Sequence, residues 1–227
     1  MNLSNASLHY TIIKYIIDFG FAPDAAELAG LLNASEDEIV DALKVLADDH
    51  GVVLHPGSSK IWVIHPFSLA PTNFLVHYAD KEWWGNCAWC SLGAAALLKR
   101  DVTITTTLGA NGRRMDVHIR DGRIIEQELL VHFPIAMRNA WDNVVYTCST
   151  MLLFENMADI DAWSSKHRIP KGDVQPITNV WEFAKVWYGE HLNPNWKKWT
   201  AQEAKNIFTK FGLTGDIWDI EIAATRF

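Results

Sequence analysis

Cysteine is scarce in this chain: Cys87, Cys90 and Cys148 are the only three in 227 residues. So sparse and odd a set cannot staple a small secreted domain, and all three are expected as thiols in a reducing, cytoplasmic setting. A long apolar run is missing too. The stretch Ile12-Ile13-Lys14-Tyr15-Ile16-Ile17 is short and broken by a lysine. Residues 1–21 show neither a cationic leader nor a small-residue cleavage site, so no membrane span and no export are expected. Gly-rich phosphate cradles, nucleotide loops and serine-triad signatures are lacking, which leaves no motif for phosphoryl transfer or serine hydrolysis. Internal repeats and low-complexity tracts are absent as well.

Basic residues are nearly missing from the front of the chain. Residues 1–80 set ten carboxylates against Lys14, Lys44 and Lys60, and so carry the whole net charge of −7. The tryptophan-rich remainder is balanced, with 17 charges of each sign. This break predicts two units, 1–80 and 81–227.

In the first unit, periodicity predicts a helix over 8–19 and a second opened by Pro23 and running to Leu32. A third follows the capping box Ser35-Glu36-Asp37-Glu38, with Ile39, Leu43 and Leu46 on its apolar face. Two strands, 52–55 and 61–65, flank the turn Pro56-Gly57-Ser58-Ser59 and complete a winged helix-turn-helix pattern. Its third helix carries Glu36, Asp37, Glu38, Asp41, Asp48 and Asp49 against Lys44. Such a face repels phosphates, so the unit reads as a scaffold and no nucleic-acid partner is expected.

The second unit opens with a helix over 86–98, with Cys87 and Cys90 at its start. Strands follow at 102–108, 113–119 and 123–129, with Asn111-Gly112 and Asp121-Gly122 as hairpin turns. A further strand over 144–154 holds Cys148. Helices are expected near 159–167, 178–191 and 201–211, the last between the capping box Thr200 to Glu203 and Gly212. The fold class is α+β: a winged helix-turn-helix-like unit, then a mixed β-sheet domain with flanking helices.

A thiol at a helix amino terminus feels the positive end of the macrodipole, which favours the nucleophilic, metal-binding thiolate. Cys90 is so placed. Each cysteine could instead be a small buried hydrophobe, Cys87 above all. The pair Cys87-Ala88-Trp89-Cys90 allows half a zinc site, completed by Cys148 and one of nine histidines. It also allows a thioredoxin-like redox pair, although the required strand-helix-strand setting is not found. The third possibility joins Cys90 to the distant Cys148.

The segment from Asn86 to Gly93, with Ala88-Trp89-Cys90 at its centre, resembles the first cysteine segment of the organomercurial (alkylmercury) lyases. The segment Val145-Tyr146-Thr147-Cys148, running on to Phe154 and Trp163, is similar to that family's second. The front unit, the junction His65-Pro66-Phe67-Ser68 and the hairpin from Thr103 to Val117 also fit, so the resemblance spans about residues 8–190. It implies protonolysis of a carbon–mercury bond, releasing a hydrocarbon and leaving mercury(II) on the protein until cellular thiols collect it. No cofactor is implied; the partner is an organometal or another thiol-reactive small molecule. Soft thiolates suit soft metals, and two of them push electron density onto mercury and weaken its bond to carbon.

By this resemblance Cys90 and Cys148 are the catalytic and metal-binding residues, and Trp89 packs the pocket of the first. Where the family places an aspartate, this chain has Gly93, so the proton must come from elsewhere. Cys87 is expected first, on the same helical face as Cys90, with Glu82 or Asp142 as alternatives. With Cys87 as a third metal-binding thiolate, the site could instead trap mercury or copper without turnover. The family's additional hairpin cysteine is missing near Leu108. The tail from Tyr188 to Trp218 extends past the shorter lyases; its tryptophans, with Trp181 and Trp187, fill the core or line a cavity.

Overall fold

The structure, a computed structural model, describes residues 3–220. Its first three helices are set by reciprocal caps. Ser4 and Ser7 start α1 (Asn5–Phe19), Asp24 and Glu27 start α2 (Ala25–Leu32), and Ser35 and Glu38 start α3 (Glu36–Asp48). Pro23 stands just outside the second cap rather than in the first turn, because the Asp24 carboxylate takes the cap position. Gly20, at φ 82°, ends α1 in the left-handed conformation that a side chain disfavours. Leu8, Ile12, Ile13 and Ile16 of α1 are buried with Leu28 of α2 and Ile39, Leu43 and Leu46 of α3. Each such side chain contributes about 1.5–3 kcal/mol by leaving water.

Eight strands form one antiparallel sheet. They are β1 (Val53–Leu54), β2 (Ile61–Ile64), β3 (Phe67–Ser68), β4 (Phe74–Tyr78), β5 (Lys81–Gly85), β6 (Val102–Thr107), β7 (Arg114–Arg120) and β8 (Arg123–Ile124). Their order is β1-β2-β3-β5-β4-β6-β7-β8, so the charge break at residue 80 falls in the turn between β4 and β5. In β6, Val102, Ile104 and Thr106 face the core and the intervening threonines do not, the period-2 pattern of a sheet covered on one face. Asp121 and Gly122 both take positive φ (49° and 69°), as a type I′ turn between β7 and β8 requires.

Against this sheet lies α4 (Ala88–Leu98), buried on every side apart from Leu98. A helix apolar all round belongs at the centre of a core. It packs along α7 (Ile177–Tyr188), and Gly93 marks their close approach. A second, three-stranded sheet sets β9 (Leu130–Phe133) between β10 (Leu153–Phe154) and β11 (Asp173–Pro176). Two more helices, α6 (Met157–His167) and α8 (Ala201–Lys210), complete the α+β architecture. No described helix is long and apolar enough to cross a membrane.

Two expectations need correction. The strand expected over 123–129 stops at Ile124, and the next strand, β9, joins the other sheet. The strand expected over 144–154 is instead helix α5 (Val144–Thr150) followed by the two-residue β10. Valines and threonines suggested a strand there, but Asn143 caps the segment by accepting the Tyr146 N–H at 3.0 Å, and the cap prevails over β propensity. Cys148 therefore sits on a helix.

One buried cluster ties α1 to the tail. The ring of His9 stacks on Trp196 at 3.7 Å and meets His191 edge-on at 5.6 Å. Burial, then the nearby Lys198 and His65, push the His9 pKa down to about 3, and burial first of all lowers His191 in the same direction. These imidazoles stay neutral in the folded chain but take up protons below about pH 6.5 once it unfolds. The stability they contribute is whole above that pH and is lost as pH falls from 6.5 toward 3. Denaturant titrations should show stability falling below pH 6.5 by up to about 1.4 kcal/mol per pH unit per histidine, with a shallower slope in His9→Phe. Stability unchanged between pH 7.5 and 5 would contradict this.

Candidate active site

Three chain segments converge beside the start of α4. Asn86 N–H donates to the Pro66 carbonyl and Ala88 N–H to the Met151 carbonyl, both at 3.1 Å. These bonds stitch the end of β2, the entrance of α4 and the exit of α5 together, and with them His65, Cys90 and Cys148. The donor atoms of those three side chains lie within 4.8 Å of one another. His65 Nε2 is 3.8 Å from Cys148 Sγ and 3.2 Å from the Asn86 amide nitrogen.

Cys87 is the N-cap of α4. Its sulfur accepts the Cys90 N–H at 3.2 Å, and its thiol donates to Cys90 Sγ at 3.1 Å. On the other side of Cys90, the Tyr188 hydroxyl lies 3.4 Å from the sulfur. Burial alone would raise Cys90. The Cys148 and Cys87 thiols, the nearby His65 and the Tyr188 hydroxyl outweigh it and hold Cys90 well below the ordinary thiol range. Burial first of all pushes Cys87 up, and hydrogen bonds to Cys87 and Cys90, then burial, push Cys148 up. The cluster thus favours the thiolate at Cys90 over its two sulfur neighbours.

Cys90 and Cys148 open onto a cavity of about 60 Å³ whose wall does not include Cys87. Trp89, Trp141, Trp187, Met137 and Met151 give it an apolar, aromatic lining. Trp89 is held there by stacking on Phe183, with ring centres 4.6 Å apart. Half-buried Lys198 also faces the cavity, donating to the His50 carbonyl at 2.9 Å and lying 4.3 Å from the Trp141 ring centre. The other proton donors anticipated from sequence lie elsewhere. Glu82 is engaged by His77 at 2.9 Å on the exposed side of β5, and Asp142 accepts from Asn139 at 2.9 Å at the surface. The thioredoxin-like alternative finds no parallel strand-helix-strand unit, since all strand pairs among the described residues are antiparallel.

This fold and this pocket define a class: proteins that carry a cavity lined by buried sulfurs and aromatic rings, suited to a soft and polarisable atom. The sequence model of the alkylmercury lyase (MerB) family matches residues 67–189, more than half of the chain, and the chain belongs to that family. Among solved structures it is similar to the mercury-bound form of MerB2, with a TM-score of 0.69 over 83% of this chain and 91% of that one. At 18% identity that likeness is one of fold. A search of curated proteins finds no match.

Sequence reasoning picked out Cys87, Cys90 and Cys148 but missed His65, Tyr188 and Lys198 on the cavity wall. For His65 the only signal was its place in the junction His65-Pro66-Phe67-Ser68. For Tyr188 the signal was indirect: a glycine inside an alanine-rich helix marks a place where another group comes close.

Proposed function

We propose that this chain cleaves carbon–mercury bonds by protonolysis assisted by Cys90 and Cys148. The observation that carries the reading is the convergence of those two sulfurs, 58 positions apart in sequence, on one small cavity. Cys90, held as thiolate, attacks the mercury of an organomercurial thiolate complex, and the displaced thiolate leaves. Cys148 then becomes the second sulfur ligand and gives up its proton. The carbon–mercury bond breaks with its electron pair on carbon, which is protonated and departs as hydrocarbon. Mercury(II), bound by two sulfurs, is the product, and small cellular thiols remove it by exchange.

The lining suits a hydrophobic organic group, because Trp89, Trp141, Trp187, Met137 and Met151 make up much of the wall. His65 stands close enough to both sulfurs to act as a third donor toward mercury. The proposed setting is the cytoplasm, with an acidic, winged-helix-like front of 1–80 serving as scaffold to 81–227 and binding no nucleic acid. The competing reading is a trap that sequesters a soft metal through the same cysteines without breaking a bond. Phenylmercury with excess thiol separates the two: benzene should appear in many equivalents per protein. Tight stoichiometric uptake without benzene would leave the trap.

A further inference from the structure

The lyase reading leaves open which group gives carbon its proton, since position 93 is glycine. We propose that Tyr188 is that group, its hydroxyl doing what a carboxyl side chain at position 93 cannot; this inference rests on the lyase reading. Two observations carry it. A Cβ built on Gly93 would lie 2.2 Å from Cδ2 of Tyr188 and within 2.8 Å of two further ring carbons. The aromatic ring therefore occupies the space into which any side chain at 93 would grow. The hydroxyl at the end of that ring is 3.4 Å from Cys90 Sγ and on the cavity wall, beside the atom to which the substrate's mercury bonds.

The alternatives are few. No carboxylate lines the cavity among the described residues. Lys198 faces it, but its ammonium is directed to the His50 carbonyl and the Trp141 ring. Cys87 touches Cys90 without reaching the cavity wall.

The step balances without an outside reagent. With R–Hg bonded to Cys90 and Cys148 closing on the mercury as its second sulfur ligand, the carbon–mercury bond breaks heterolytically and its electron pair takes the Tyr188 O–H proton, releasing R–H. The phenolate recovers a proton from the Cys148 thiol as that sulfur bonds to mercury. One proton is consumed, no electron is transferred to or from the protein, and tyrosine ends as it began.

The test uses the full chain loaded with one equivalent of phenylmercury. Adduct formation is read by intact-protein mass and benzene by gas chromatography. Tyr188→Phe should form the adduct as wild type does, yet release benzene about 10²–10⁴ times more slowly, the usual weight of a positioned general acid. Ring-fluorinated tyrosines at position 188 keep the shape and change only the acidity, so release rates should vary in order with phenol acidity. Benzene from Tyr188→Phe within threefold of wild type, or rates indifferent to fluorination, would overturn the role of Tyr188 and leave the lyase reading intact. Wild-type protein that forms the adduct but no benzene would sink both.

Discussion

Replacing Cys148 with alanine should abolish benzene release from phenylmercury while slowing, but not abolishing, capture of the organomercurial. The loss in kcat/KM should be at least about 10⁴-fold, the scale seen when a member of a covalent catalytic set is removed. Cys148 is the largest of the neighbours that lower Cys90, but Cys87, His65 and Tyr188 still act on it in the variant, so the first bond to mercury should form more slowly rather than fail. What disappears is the second ligand that weakens the carbon–mercury bond, together with the proton that Cys148 keeps because its pKa is pushed up. Cys148→Ser should be equally inactive, since a hard hydroxyl of similar size is a poor mercury ligand. Cys90→Ala, by contrast, should lose uptake. Mass spectrometry of the adduct and chromatography of benzene separate the two defects; a Cys148→Ala protein that still turns over would end the two-sulfur mechanism.

Placing an aspartate at position 93 should damage the protein rather than improve it. The new Cβ would fall within 2.2 Å of the Tyr188 ring, and the carboxyl would be buried between α4 and α7. Overpacking and an ill-paired polar group together should cost about 3 kcal/mol or more. For a chain of this size that is a fall in Tm of roughly 6–12 °C. Gly93→Ala should be milder because it adds one methyl group and no carboxyl. If Gly93→Asp kept wild-type stability and turned over faster, the ring would have swung aside and the crowding argument would be wrong.

Much of this protein was legible in its sequence, and the reason is local chemistry. Capping pairs such as Ser35 with Glu38, the alternation from Val102 to Thr106 and the Asp121-Gly122 turn each act over a few residues and appear where expected. Segment 144–154 reads as a strand because Val144, Val145, Thr147 and Thr150 favour strands, whereas one asparagine cap and contacts with the rest of the core fix a helix over Val144–Thr150. The candidate site divides in the same way. A resemblance pointed to Cys90 and Cys148, but their separation depends on hydrogen bonds between Ala88 and Met151 and between Asn86 and Pro66, which no local pattern encodes. Tyr188 reaches Cys90 from 98 positions away because α7 crosses α4 at Gly93, a packing outcome that helical periodicity does not reveal.

The closeness of Cys87 to Cys90 carries a liability. At 3.1 Å the two sulfurs need to move by only about one ångström to reach the ~2.05 Å bond length of cystine. A peroxide or an oxidised glutathione pool could therefore withdraw two electrons from the pair and lock it shut. The nucleophile would be consumed in that bond, leaving Cys148 alone at the cavity wall. If the proposed function holds, the contact that favours the Cys90 thiolate thus makes turnover depend on a steady supply of reductant in the surrounding medium.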